Sequence, residues 1–347
     1  MKNVNNNKVV LHFIITDGFS GAESVAANMI LSLPDGWEGY YVAPEGKGTQ
    51  IVSAMGVKVI PCDTQSVSEV KKTAELFPGC IVHAHDCRMS FICARAGLCF
   101  CAHLHANWDW MKKLCPKSIL LAYACRKAQS IICVSKSISE GFIFERAMKD
   151  KVRVIENCVM RDRITSLAGE CCDGNFDLCF VGRLTELKRP LEFLRLVALL
   201  KNELPDISAC MVGDGEMKND VCEMIKSSGL SDNVFLAGFD TNPYRFMKNS
   251  RVGVLTSAVE GFGLVAVEAM ILGKPFVAFP VGGLTDIVND KCGRLCGDIS
   301  EMKDEILKLL SDSEYYCNKS SAALDNSYRF TDKERYINSI IETYGHR

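Results

Sequence analysis

The sequence predicts an α/β protein built twice over, each half a parallel sheet covered on both faces by helices. Three observations carry that expectation. Short apolar runs of strand length alternate with helix-length amphipathic segments along the whole chain, the pattern of repeated β-α-β crossovers. At 347 residues the chain exceeds what one hydrophobic core fills, since single cores stop growing near ~250–300 residues. A polar, aperiodic stretch from Asp162 to Asn175, with glycines at 169 and 174, interrupts the alternation near the middle as an interdomain linker would.

In the first half, strands are expected at Val9–Ile15, Gly39–Val42, Lys58–Ile60, Ile81–Ala84, Cys99–His103 and Ser130–Val134, with helices between them that include Ala22–Leu33 and Ser137–Arg146. In the second half, strands are expected at Phe176–Val181, Ile207–Val212, Val234–Ala237, Val252–Thr256 and Pro275–Phe279. Helices are expected at Pro190–Lys201, Met217–Ser228, Val265–Leu272 and Glu301–Ser311. Pro190 stands at the favoured first helical position. A last helix, Asp332–Tyr344, comes after the second unit should be complete.

Composition narrows the class. Hydrophobic residues at 48% and charged residues at 24% are ordinary for a globular protein, which excludes disordered and fibrous chains. The polar stretch Met1 to Asn7 and the apolar run after it lack the charged and small-residue flanks of a signal peptide, so no export is implied. No run approaches the roughly 18 apolar residues of a membrane span. A soluble or peripheral protein of the cytoplasm is expected. The 18 cysteines are scattered without C-x-x-C spacing, and several (Cys133, Cys179, Cys210) lie inside apolar runs. They read as reduced, buried thiols rather than disulfides or zinc ligands.

The net charge of −2 divides unevenly, with 20 Lys and Arg against 16 Asp and Glu over residues 1–170 and 20 against 26 over the rest. A basic front half would suit an anionic partner such as a lipid headgroup or phosphate, and solvated surface charge accounts for it as well.

The most informative stretch runs from Glu260 to Glu268, Glu-Gly-Phe-Gly-Leu-Val-Ala-Val-Glu, because a strand there runs into a glycine-rich turn and then a helix. The glycines let backbone approach a ligand, and the helix start offers the amides of Gly263, Leu264 and Val265 to an anion. This arrangement suits a diphosphate. Glu260 and Glu268 can accept hydrogen bonds from sugar or ribose hydroxyls. Positive charge comes from Phe180-Val181-Gly182-Arg183-Leu184-Thr185-Glu186-Leu187-Lys188-Arg189-Pro190, where Arg183 can grip a phosphate bidentately and Lys188 acts as a point charge.

Together with Gly213-Asp214-Gly215, Phe235-Leu236-Ala237-Gly238-Phe239, Gly282-Gly283 and Asp286-Ile287-Val288, these residues resemble family four of the retaining GT-B glycosyltransferases, the glycosyl transferases group 1. The resemblance extends over nearly the whole chain. In the first half Phe19-Ser20-Gly21-Ala22-Glu23 stands in for a G-G-A-E loop, His83-Ala84-His85 follows a strand, and Val134-Ser135-Lys136 precedes a helix. Ser20 and Cys158 occupy positions where the family has glycine.

The resemblance implies a GT-B fold of two Rossmann-like doubly wound domains facing across a cleft. Residues 1–165 would form an acceptor-binding domain, 166–330 a nucleotide-sugar-binding domain, and 331–347 a crossover helix packing back on the first. It implies catalytic roles for Glu260, His105, Arg183 and Lys188, and donor-binding roles for Gly21, Gly182, Phe239, Gly263, Leu264, Val265 and Glu268. His105 falls where the family places a histidine facing the donor's sugar and diphosphate.

No Asp-x-Asp pair occurs to hold a divalent ion on the diphosphate, so no metal and no cofactor is expected. Arg183, Lys188 and the helix amides would neutralise the leaving group. The expected reaction is metal-independent transfer from a nucleotide diphosphate sugar, most commonly a UDP-sugar in this family, to a saccharide or lipid-linked acceptor, with an α-linked product. Surface polysaccharide, lipopolysaccharide or glycolipid assembly would be its setting. A GT-B-fold epimerase or phosphorylase, or a non-catalytic sugar-nucleotide-binding partner of an assembly complex, are the competing readings. Asn107 to Lys117 mixes aromatic and basic residues and could dock the N-terminal domain peripherally on the inner face of the cell membrane. Nucleic acid is not an expected partner.

Overall fold

The computed structural model describes residues 7–147, 150–170 and 174–345. The chain forms two compact units. Residues up to Cys158, together with those from Asp332 on, make the first, and Val159–Thr331 the second.

The first unit holds a sheet of seven strands: β1 (Lys8–Phe13), β2 (Trp37–Ala43), β3 (Val59–Pro61), β4 (Ile81–His85), β5 (Phe100–Leu104), β6 (Ser130–Cys133) and β7 (Val152–Val154). Their order is β3-β2-β1-β4-β5-β6-β7 and every pairing is parallel. The second unit has six strands: β8 (Phe176–Val181), β9 (Ala209–Val212), β10 (Val234–Gly238), β11 (Ser250–Leu255), β12 (Phe276–Ala278) and β13 (Gly293–Leu295). They run β10-β9-β8-β11-β12-β13, again all parallel.

Each sheet is doubly wound, reversing direction once, between β1 and β4 and between β8 and β11. Such a reversal leaves a crevice beyond the carboxyl ends of the strands, where ligands bind in this architecture. Continuous burial along β5, β6, β9 and β12 is what parallel strands covered on both faces require, which is why they read as short apolar runs. Ile14, Ala26, Tyr41, Ala43 and Val52 form a core cluster in the first unit. Cys179, Cys210, Val212, Phe246 and Met247 form one in the second. Cys133, Cys179 and Cys210 are buried and form no disulfide, filling the core as small residues.

The terminal helix, Lys333–Tyr344, is capped by Asp332 accepting from the amide of Arg335, and packs on the first unit as expected. Its Tyr344 hydroxyl lies 2.7 Å from His83 Nδ1, and Thr343 meets Cys101 of β5.

Two local expectations fail for identifiable reasons, and two short strands were not expected at all. The helix expected over residues 137–146 is only Lys136–Glu140, closed by Gly141, and Glu145–Ala147 forms a separate 3-10 turn. The stretch expected as an aperiodic linker contains a helix, Arg161–Leu167, whose Ile164 is buried and whose last carbonyl accepts from Asn242 Nδ2 at 2.9 Å. Residues 171–173 of that stretch lie outside the described residues. The edge strands β7 and β13 were not foreseen, because three residues are too few to show a period.

Candidate functional site

In the second unit, the loops after β8, β9, β10, β11 and β12 emerge on one edge of the sheet, and glycines let them lie against one another. A Cβ on Gly213 would stand 1.9 Å from the carbonyl oxygen of Gly182, and one on Gly215 would stand 2.3 Å from that of Leu184. A Cβ on Gly282, whose φ is +55°, would overlap the carbonyl of Glu260 at 1.6 Å. Gly283 donates its amide to Gly261 at 3.1 Å. The Gly282-Gly283 turn is thus a backbone platform beneath the Glu260–Gly263 turn.

That turn ends at Gly263, which caps the helix Leu264–Ile271 with a left-handed φ of +103°. The cap leaves the first-turn amides of Leu264 and Val265 without intrahelical partners at the positive end of the helix.

Glu260 is almost wholly buried. Its Oε1 accepts from Ser257 Oγ at 2.8 Å and from Lys188 Nζ. Lys188 is brought there by a strained loop, in which Arg189 adopts a left-handed φ of +47° before Pro190 starts the helix Pro190–Lys201. Thr256 Oγ1 donates to the carbonyls of Lys188 and Arg189, and the amide of Ala258 to that of Leu187 at 2.8 Å. Arg183 projects exposed from the same loop, directly after Gly182, whose amide bonds Val212 at 3.0 Å. Phe239, 56% exposed, follows β10 on the same edge.

The structure therefore brings Glu260 and Lys188 into direct contact. It places Gly182, Arg183, Phe239, Gly263, Leu264 and Val265 on the edge around them. Glu268 lies one helical turn beyond Leu264. Its carboxylate accepts from Tyr244 at 3.3 Å, and loss of water pushes its pKa up to about 7 against the opposing pull of Tyr244 and Arg163.

In the first unit, Gly21 opens the helix Gly21–Leu31 on the loop after β1. Buried Glu23 braces that loop, accepting from Thr16 Oγ1 at 2.7 Å and from Ser20 Oγ at 2.5 Å. Ser20, where the family has glycine, is used as a strut.

His105 follows β5. Its amide donates to Asp86 Oδ1 at 3.0 Å, and its Nε2 lies 2.8 Å from His85 Nδ1. Asp86 sits in the left-handed region at φ +68°, and burial raises its carboxyl to about 6. Five of the six histidines gather on β1, β4, β5 and the start of the following loop. Burial lowers all five, His12 to about 3 and His105 to about 4. Within two triads, His12/His83/His85 and His85/His103/His105, a nitrogen of each ring lies within 4.8 Å of the others, close enough to consider as metal ligands.

Sequence reading missed Ser257, Thr256 and Asp86, which hold Glu260, the Lys188 loop and His105. The available signal was their place at strand ends, where hydroxyl and carboxylate side chains commonly bond loop backbone.

Two Rossmann-like parallel-sheet units in tandem, with the C-terminal helix returned to the first, define the GT-B class of glycosyltransferase fold. Anabaena HepE in complex with UDP-glucose superimposes with a TM-score of 0.86 at 21% identity, over 98% of this chain and 100% of that one. Staphylococcus aureus TarM, in a complex containing UDP, gives 0.76 at 14% identity over 97% and 100%.

Residues 172–326 match the glycosyl transferases group 1 family model. The chain is 27% identical over 170 residues to the N-acetyl-alpha-D-glucosaminyl L-malate synthase of Bacillus anthracis, covering 48% of this chain and 44% of the relative. It is 31% identical over 150 residues to the poly(ribitol-phosphate) alpha-N-acetylglucosaminyltransferase of S. aureus, covering 42% and 30%. The chain thus spans less than half the length of these curated relatives. Among the described residues no helix is long and apolar enough to cross a membrane.

Proposed function

We propose that the protein is a retaining glycosyltransferase that moves a sugar from a nucleotide diphosphate sugar, a UDP-sugar, to an acceptor hydroxyl without a metal ion or other cofactor. The observation that carries this reading is the Lys188–Glu260 pair, seated on the Gly282-Gly283 platform beside the first-turn amides of Leu264–Ile271. It sets a cation, a helix N-terminus and a buried carboxylate within one edge, the donor set a sugar diphosphate needs. The UDP complexes of the structural neighbours and the α-linked products in two relatives' names support the donor and the stereochemistry.

In this mechanism the first-turn amides, Arg183 and Lys188 take the charge that develops on the leaving diphosphate, an interaction that grows toward the transition state. The acceptor attacks the face the diphosphate leaves, and a leaving phosphate oxygen takes the acceptor proton. Glu260 holds the donor sugar, Glu268 the ribose, and Gly182 and Phe239 line the donor. A donor-binding role for Gly21 and a catalytic role for His105 are proposed on the family resemblance of their loops.

The acceptor is proposed to be a saccharide or lipid-linked saccharide of surface polysaccharide or glycolipid assembly, reached from the cytoplasmic side. Exposed Leu114, Ile119, Leu120 and Tyr123 beside exposed Lys112, Lys113 and Lys117 support peripheral contact with an anionic bilayer.

The test is a screen of purified protein against UDP-, GDP- and ADP-sugars, with and without EDTA, reading nucleotide release. EDTA-insensitive turnover of one donor is expected. Turnover that needs a divalent ion, or E260A at the wild-type rate, would overturn the assignment. Product formed from the donor with no added acceptor would point to epimerisation instead.

A further inference from the structure

The buried histidines of the first unit form two hydrogen-bonded lines, and one of them ends at His105. Along that line His12 Nδ1 lies 3.0 Å from His85 Nε2, and His85 Nδ1 lies 2.8 Å from His105 Nε2. The second line runs from Tyr344 through His83 to His103, at 2.7 and 3.0 Å. His83 stacks on His85 with ring centroids 4.6 Å apart, and His103 stands against His105 at 4.1 Å. The second line walls in the first.

Burial keeps the rings neutral, so each carries one hydrogen. Two bonds join three rings and use two hydrogens. The third must sit at one end of the line, on His12 Nε2 or on His105 Nδ1. His12 Nε2 is sealed in the core without a partner. An orphaned buried N–H is rarer in folded proteins than an orphaned lone pair, so the hydrogen belongs at the other end, on the one ring of the line that is not fully buried. The line then has one direction: His12 donates to His85, and His85 donates to His105.

We infer that His85, oriented by His12, is a positioning residue that holds His105 in the tautomer protonated on Nδ1, so that this ring meets its ligand as a hydrogen-bond donor from Nδ1. The inference rests on the proposed transferase only for the identity of that ligand. The ring geometry stands without it. His85 touches neither substrate nor reacting atoms. It works by occupying Nε2 of His105 with its own N–H, as second-shell partners fix the tautomer of working histidines elsewhere.

The test is side-chain ¹⁵N NMR of the full chain labelled at histidine, which reports the protonated nitrogen directly, run with His85→Leu and His85→Gln. His105 protonated on Nδ1 is expected in the wild type, with a signal from the Nε2-protonated form appearing in H85L. The amide N–H of H85Q can take the donor's place, so this variant should keep the wild-type pattern. With an active donor, turnover of H85L should fall about 10- to 100-fold with the donor KM little changed, the range typical of lost second-shell support. H85Q should recover most of it.

Wild-type His105 protonated on Nε2 would overturn the inference. So would a stoichiometric transition metal in the purified protein, measured by inductively coupled plasma mass spectrometry, because the nitrogens would then be ligands. Loss of the transferase reading alone would show as an inactive wild type with the expected tautomer. If H85L fails to fold, the wild-type spectrum and H85Q still decide.

Discussion

Acid should weaken the first unit specifically, and the histidine cluster sets by how much. His12 is held at about 3 in the folded unit against 6.5 ordinarily. A group whose native pKa lies below its unfolded value takes up its proton first in the unfolded chain. Its stabilising contribution is therefore full above about pH 6.5 and is lost as pH falls toward the native value. Between pH 7.5 and 5.5 His12 alone removes about 1.4 kcal/mol, and His105, held at about 4, removes nearly as much, reduced by its partial exposure. His83, His85 and His103 act in the same direction.

Asp86 opposes them. Its pKa is raised to about 6, so it gains a proton in the folded unit and returns about 0.8 kcal/mol at pH 5.5. The net loss is at least about 2 kcal/mol, or roughly 1 M in urea midpoint for a slope near ~2 kcal/mol/M. All three tryptophans, Trp37, Trp108 and Trp110, lie in the first unit, so their fluorescence in a urea titration reports that unit. A midpoint that stays level or rises from pH 7.5 to 5.5 would refute the view that these rings are neutral in the fold.

Three further outcomes follow from the second unit and the apolar-basic face. Glu260→Ala strands the partly buried charge of Lys188, and unfolding of the second unit should become easier by about 1–3 kcal/mol, while E260A/K188A should be less than additive in a double-mutant cycle. Gly282→Ala places a methyl against the Glu260 carbonyl at a positive φ; a loss above about 3 kcal/mol is expected by calorimetry, and a well-folded, active G282A would show the platform is not needed. In flotation with anionic against zwitterionic vesicles, wild type should bind the anionic ones alone, and Leu114→Asp with Ile119→Asp should abolish it; equal flotation of the variant would remove the membrane proposal.

Much of this protein was legible in the sequence because parallel strands buried on both faces leave continuous apolar runs. Phe176–Val181 and Pro190–Lys201 lie where their run and their first-turn proline place them. The Gly282-Gly283 pair, noticeable in the sequence only for its place in the family's order, lies against the Glu260 carbonyl, a packing role its spacing did not announce. What stayed hidden were contacts between residues distant in sequence. Nothing near Lys188 says that its ammonium rests on a carboxylate 72 positions later. Nothing in the separate histidines says that register sets His12 beside His83 on β1 and β4, and His85 beside His103 on β4 and β5. The histidines were individually ambiguous because one ring after a strand carries no information about its partners. The helix Arg161–Leu167 was missed because a single buried residue, Ile164, anchors a segment whose only other apolar position is Leu167 at its end.

The Lys188–Glu260 contact bears on how a site for an anion survives before the anion arrives. Glu260 supplies Lys188 with a counter-charge in the free protein, so neither side chain is left without an ionic partner in the crevice. Ser257 occupies the same oxygen, which fixes the carboxylate's orientation while leaving Oε2 open to a hydroxyl donor. Under the proposed function the donor resolves the pairing: its phosphates offer Lys188 a stronger anion, and its sugar hydroxyls take up the carboxylate that Lys188 releases. Both charges then remain compensated throughout, with the helix amides and Arg183 absorbing the extra negative charge of the leaving group. This ordering requires donor binding to weaken with rising ionic strength less than an open lysine-phosphate contact would, because the cation is already screened by its carboxylate in the free protein.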